Sequence, residues 1–167
     1  MTIETLFGTE SVADKPRTIK FKQIKAVYET LVVHEEISNY LKTGQRYTSP
    51  SQVYETFRFL INEIKEMFIC LHLDGKNRIL CTDIVSMGSL NQSIVHPRSV
   101  FQTACLSSAA AIICVHNHPS GDPTPSSEDI SITRRLKEAG EIMGIKILDH
   151  IIVGDNDFCS FVEKGLM

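Results

Sequence analysis

Several absences narrow the reading of this 167-residue chain before any motif is considered. No stretch approaches the roughly 18 consecutive apolar residues of a membrane-spanning helix, so no membrane association is expected. No charged and apolar leader opens the chain, so a secretory signal is not expected and the cytoplasm is the expected setting. There is no Cys-x-x-Cys pair among the five cysteines at 70, 81, 105, 114 and 159. That offers no support for a Cys-rich structural zinc knuckle. The odd count and the apolar runs around Cys70, Cys105 and Cys114 read as buried, reduced thiols. Positive charge is not in excess: 17 Lys and Arg face 20 Asp and Glu, for a formal net charge of −3. This counts against an extended phosphate-binding surface, although a local basic patch would fit. Repeats and low-complexity tracts are also missing. What remains is an ordinary globular composition, 43% hydrophobic, with enough chain for one domain and its core.

Composition shifts divide the chain into three parts. Residues 1–16 have little periodicity and read as a flexible tail. Residues 17–47 read as an N-terminal extension: one or two strands within 18–33, a short helix over 34–42, and a polar linker from 43 to 49 broken at Gly44. The main domain is expected over 48–167. Ser49-Pro50-Ser51 has the form of a helix start, and Val53, Phe57, Leu60, Ile61 and Ile64 follow at helical spacing. Two strands, 68–73 and 78–85, flank the hairpin sequence Asp74-Gly75-Lys76-Asn77. A turn at Met87–Leu90, a short strand at 93–96 and a helix from Pro97 to about Ser108 come next. A buried strand spans 109–116. Ser126 opens a helix that carries Ile132, Leu136, Ala139 and Met143 on one face, and Gly144 ends it. A strand over 145–153 and a short one over 158–162 complete an α/β chain with a mixed sheet.

The densest chemistry lies at the end of the 109–116 strand, in His116-Asn117-His118-Pro119 and the Gly/Pro/Ser-rich stretch to Asp129. Side chains alternate along a strand, so His116 and His118 face the same way and Asn117 faces away. Two imidazoles at a strand end can grip one metal ion, and the following turn delivers the carboxylate of Asp129. Two His and one carboxylate leave zinc a fourth, open position for water. Ser126-Ser127-Glu128-Asp129 is also a helix-capping sequence, and a carboxylate fixed in a first helical turn serves both purposes. Hydrolysis further needs a base. Glu128 neighbours a proposed ligand and points elsewhere. Glu66, at a helix-to-strand transition, is the better candidate and Glu63 the rival; spacing alone leaves the choice open. The tripeptide His-Asn-His is not the dispersed HNH nuclease motif.

Taken together, Glu66, His116-x-His118, Ser126 and Asp129 resemble the JAMM motif of MPN/JAB-type zinc metalloproteases. Four further stretches resemble the RadC branch of that superfamily: Leu73–Arg78, Val95-His96-Pro97-Arg98, His116–Pro123 and Leu148–Gly154. The resemblance covers about residues 48–165. It implies an α/β fold related to cytidine deaminases, with a curved mixed sheet flanked by helices. It implies one zinc ion per chain held by His116, His118 and Asp129, with Glu66 as general acid/base and Ser126 stabilising an oxyanion. The activity implied is a metallopeptidase or isopeptidase acting on a peptide or protein. The alternatives are a scaffold with structural zinc and a DNA-repair-associated role. RadC proteins often carry an N-terminal helix-hairpin-helix module, for which the first 45 residues are too short. The chain in this respect resembles short forms associated with mobile elements, which weakens the DNA-repair expectation. Asp149 and His150 match the family pattern, and His150 is read either as ordering a ligand or as supporting the sheet. His96 and Arg98 match too and are read as structural. His34 and His72 have no case for a site.

Overall fold

The computed structural model describes Val27, residues 46–88 and residues 95–167. Its regular elements all belong to one unit of the chain, Leu31–Met167. The tail, the strands and helix read within 18–42, and the Ser89–Leu90 part of the turn lie outside the described residues.

Helix α1 (Pro50–Phe57) starts as its local chemistry dictates. Ser49 is extended and its hydroxyl accepts from the Gln52 N–H, while Pro50 fills a first-turn position that has no use for a donor. The helix does not run on to Ile64. At Arg58 it tightens into a 3₁₀ helix, Arg58–Asn62, which keeps Leu60 in the core but leaves Ile64 92% exposed. Three residues per turn instead of 3.6 rotates later side chains off the apolar stripe. The chain is thereby turned into β1 (Glu66–Leu73), which pairs antiparallel with β2 (Ile79–Gly88) across the expected hairpin. Asn77 takes a left-handed conformation there, with φ 58°, and the Asp74 carboxylate accepts from the Lys76 and Arg78 N–H groups.

Helix α2 (Pro97–Leu106) follows. Val95 and His96 are not strand residues, contrary to expectation. His96 is extended because a residue before proline is pushed out of the helical region, which imitates a strand in sequence. Strand β3 (Ala111–Asn117) pairs antiparallel with β1 and parallel with β4 (Lys146–Val153), and β5 (Phe158–Ser160) closes the order β2-β1-β3-β4-β5. The parallel β3–β4 step requires a crossover, supplied by α3 (Ser127–Met143). Gly144, with φ 69°, ends it as expected.

Three layers result. On one face α1 packs on Leu71, Ile113, Val115 and Ile151. On the other, α2 and α3 pack on Phe68, Cys70, Ile112 and Cys114. β3 is buried on both faces, which is why it reads as a continuous apolar run. Fully buried Leu71, Ile112 and Ile151 each contribute about 1.5–3 kcal/mol by leaving water.

The buried stripe of α3 is not the expected one. Asp129, Thr133, Leu136 and Gly140 face inward, Ile132 and Ala139 lie at the margin, and Met143 is exposed. Polar residues win this face because the sheet satisfies them, and Gly140 wins because a Cβ there would sit 2.5 Å from the Ile145 carbonyl oxygen. Cys105 also departs from expectation: it lies on the exposed side of α2, whereas Cys70, Cys114 and Cys159 are buried thiols. Among the described residues no helix is long and apolar enough to cross a membrane.

Candidate metal centre

The antiparallel β1–β3 pairing sets Phe68 opposite His116, so the first residue of β1 lies beside the last residues of β3. Glu66 is that first residue. His116 and His118 stand on the same side, with their Nε2 atoms 3.1 Å apart. The first turn of α3 brings Asp129 against both: Oδ1 is 3.2 Å from His116 Nε2 and Oδ2 is 3.4 Å from His118 Nε2. Glu66 Oε1 lies 3.9 Å from His116 Nε2. Glu66, His116 and His118 each offer a ligand atom within 4.8 Å of the others, a group that could hold a metal ion. Two carboxylates therefore flank one imidazole pair, and Asp129 is the nearer.

The hydrogen-bond network determines which nitrogen each ring presents. The Thr133 hydroxyl has one proton and gives it to the Asp129 carbonyl at 2.6 Å. Toward His150 Nδ1, also at 2.6 Å, it can only accept, so that nitrogen carries a hydrogen. In the neutral ring His150 Nε2 is then an acceptor, and it takes the Nδ1–H of His116 at 2.8 Å. His116 Nε2 is left with its lone pair toward the centre. His118 reaches the same state by another route: its Nδ1–H donates to the Asp122 carbonyl at 2.7 Å. Two lone pairs and a carboxylate thus converge, an arrangement that only a cation or an extra proton makes favourable.

The electrostatics agree. Hydrogen bonding to Asp129 raises the His118 pKa against its partial burial, whereas burial lowers that of His116. Burial lowers His150 much further, which keeps it neutral. Burial by itself would raise Asp129, but the pull of His116 and His118 once they carry an extra proton and the hydrogen bond from Ser126 outweigh it and hold the carboxyl below the usual range.

Supporting groups lie behind these four. Ser126 forms the expected capping box: its hydroxyl accepts from the Asp129 N–H at 3.1 Å and donates to Asp129 Oδ2 at 2.6 Å, while its own N–H also bonds Oδ2. His150 is fully buried between Phe161, stacked at 4.7 Å, and the edge of Phe68 at 5.3 Å. Asp149 accepts from the His150 N–H, the Ser160 hydroxyl and the Val162 N–H, tying β4 to the chain after β5. Asn117 faces away from the histidines and bonds the backbone on either side of Glu66.

The remaining candidates fall elsewhere. Glu63 follows the 3₁₀ helix, and Glu128 is exposed, accepting from Ser127. His96 is the residue before α2. Arg98 lines a groove between α2 and α3 with Phe101 and Met143. His72, near the hairpin end of β1, bonds Ser107. His34 lies outside the described residues. Thr133 went unnoticed in the sequence, although its place one helical turn after Asp129 could have flagged it. The Asp122 carbonyl and the clamp formed by Asn117 have no local sequence signal.

The family model for the RadC-like JAB domain matches residues 47–166. The chain belongs to this family. Relatives include a UPF0758 protein of Geotalea uraniireducens, 64% identical over 124 residues that make up 74% of this chain and 54% of that one. Another from Pelobacter propionicus is 62% identical over 128 residues, 76% of this chain and 56% of its own. A third from Geobacter sulfurreducens is 54% identical over 151 residues, 90% of this chain and 66% of its own. The chain thus spans about half to two thirds of the length of these relatives, whose names state no activity. The match begins at Tyr47, just ahead of α1, so the RadC-like JAB domain contains every strand and helix described above. The wider JAB superfamily includes metallohydrolases.

Proposed function

We propose that this RadC-like JAB domain is a zinc-dependent hydrolase of amide bonds, of the JAMM metalloprotease type, acting on a peptide or protein. The observation that carries the reading is the spacing of the donor set. A zinc tetrahedron with bonds of about 2.0–2.1 Å has edges of about 3.3–3.4 Å. The two imidazole Nε2 atoms are 3.1 Å apart, and Asp129 approaches each through a different oxygen, Oδ1 at 3.2 Å from His116 and Oδ2 at 3.4 Å from His118, distances close to those edges. These three residues would hold the ion through two neutral imidazoles and one ionised carboxylate. Zinc, when bound, would lower the pKa of a water to about 7 and polarise the scissile carbonyl.

Glu66 stands farther out, at 3.9 Å from His116 Nε2 and with its side chain 13% exposed. That favours a base over a fourth ligand. From there Glu66 takes a proton from the attacking water and returns it to the leaving amine. Asp129, pinned by the Ser126 hydroxyl and N–H, keeps its oxygens aimed at the two imidazoles. The Ser126 hydroxyl is also the donor nearest that carboxylate, and on substrate binding it would turn toward a developing oxyanion.

The test is metal content by plasma mass spectrometry on the full chain, purified without chelator. About one zinc per chain is expected, and none in the His116→Ala/His118→Ala double variant. Glu66→Gln should keep the zinc and lose roughly 10²–10⁴-fold in rate on a peptide or isopeptide substrate found by screening. Wild-type protein that takes up no zinc when it is added would overturn the reading, as would full activity in Glu66→Gln.

A further inference from the structure

The strand ladder around Glu66 is completed by a side chain rather than by a backbone. On the side of β1 that faces β3, the flanks of Glu66 are the Lys65 carbonyl and the Met67 N–H. β3 ends at Asn117, and the chain turns away at His118-Pro119. Asn117 supplies what the missing strand would have given. Its Oδ1 accepts from the Met67 N–H at 2.8 Å, and its Nδ2 donates to the Lys65 carbonyl at 3.2 Å. A carboxamide has the same donor and acceptor as a peptide group, so it can stand in for one. Asn117 is fully buried. The bond from the Met67 N–H is buried and is the costlier of the two to lose, while the one to the Lys65 carbonyl is only partly buried.

We propose that Asn117 is a positioning residue that holds Glu66 in place by clamping the backbone on both sides of it. The inference rests on the reading of Glu66 as the base. Its location is telling: Asn117 sits between the two histidines in sequence but acts on the opposite strand. One residue spacing thus ties the base to the imidazoles, His116 and His118 on one face of β3 and the Glu66 clamp on the other. The clamp needs an acceptor and a donor a peptide's width apart on a one-carbon stem. Leucine keeps the volume and offers neither; aspartate keeps the acceptor alone; glutamine adds a methylene and overshoots.

The test uses the full chain, with and without added zinc, and Asn117→Leu and Asn117→Asp. Amide hydrogen exchange followed by NMR reads the clamp directly. In Asn117→Leu the Met67 amide should exchange at least tenfold faster, while Val115 and Ile151 stay protected and zinc is still bound at one per chain. On a hydrolysed peptide, kcat should fall about 10²-fold with KM unchanged, as expected for a reacting group displaced by about 1 Å. Adding Asn117→Leu to Glu66→Gln should cost nothing further. Asn117→Asp should protect Met67 and recover part of kcat, and it serves as the working variant if Asn117→Leu does not fold. Unchanged Met67 exchange in Asn117→Leu would overturn the inference, as would losses that multiply in the double variant or an Asn117→Asp as impaired as Asn117→Leu. The exchange result does not depend on turnover. A chain that shows the Met67 effect but hydrolyses no amide would sink the proposed function and leave the clamp standing.

Discussion

His150→Phe separates the orientation of a ligand from the packing of the core. A phenyl ring retains the stack on Phe161 and the edge contact with Phe68, so the layer behind the centre stays filled. What disappears is the acceptor for His116 Nδ1–H and the donor to Thr133. His116 is fully buried, and stranding its N–H costs about 1–3 kcal/mol. Loss of the group that orients a ligating histidine weakens metal binding by roughly 10–100-fold, or about 1.4–2.8 kcal/mol. The metal-free protein should therefore unfold at lower urea, and zinc affinity should drop by one to two decades in competition against a chromogenic chelator. His150→Gln places an amide oxygen near the lost Nε2 and should recover part of the affinity. An affinity for His150→Phe within threefold of wild type would refute the tautomer argument, because His116 would then not need its partner.

Two further outcomes follow from other parts of the fold. Gly154→Ala would put a Cβ 2.6 Å from both the Gly121 carbonyl oxygen and Pro123 Cδ; the loop must shift, carrying the Asp122 carbonyl off His118, and chelator competition should show about tenfold weaker zinc binding with an unchanged circular dichroism spectrum. Unaltered affinity would mean that the loop does not orient His118. Burial lowers the pKa of His72, so the unfolded chain, at about 6.5, binds this proton first as pH falls. The contribution of His72 is complete above pH 6.5 and is lost below it, at no more than about 1.4 kcal/mol per pH unit. Urea unfolding of His72→Gln between pH 6.5 and 5 should show a shallower dependence than wild type, and an equal slope would refute the assignment.

Where the chemistry is local, the chain can be read directly. Ser49-Pro50, Ser126 and Gly144 announce helix ends because caps are satisfied within a turn, and the 74–77 hairpin carries its own hydrogen bonds. The same holds for the spacing of His116 and His118, since alternation on a strand needs no partner. Long-range packing explains the departures. Periodicity carried α1 on to Ile64, but the point at which a helix stops touching the core is set by the sheet. The apolar stripe of α3 suggested Ile132 and Met143, yet the burial of Thr133 and Gly140 depends on His150 and on the Ile145 carbonyl. The RadC resemblance supplied Glu66, which spacing alone left as a choice; its place beside His116 depends on pairing between strands 50 residues apart. Asn117 could be assigned a direction but no work, because its partners are backbone groups of another strand.

The β1–β3–β4 pairing has a consequence for the time at which the centre comes into being. Its parts arrive in order along the chain: Glu66 first, the two imidazoles next, then Asp129 and Thr133, and His150 last. Until β4 docks alongside β3, His116 has no acceptor for its Nδ1–H and is free to present either nitrogen. A chain emerging from the ribosome therefore holds an unsorted His116 while the 34 residues from it to His150 are added, and on the proposed function tight metal capture would wait for the final strands. Zinc uptake during translation would serve as a clock for the completion of the sheet.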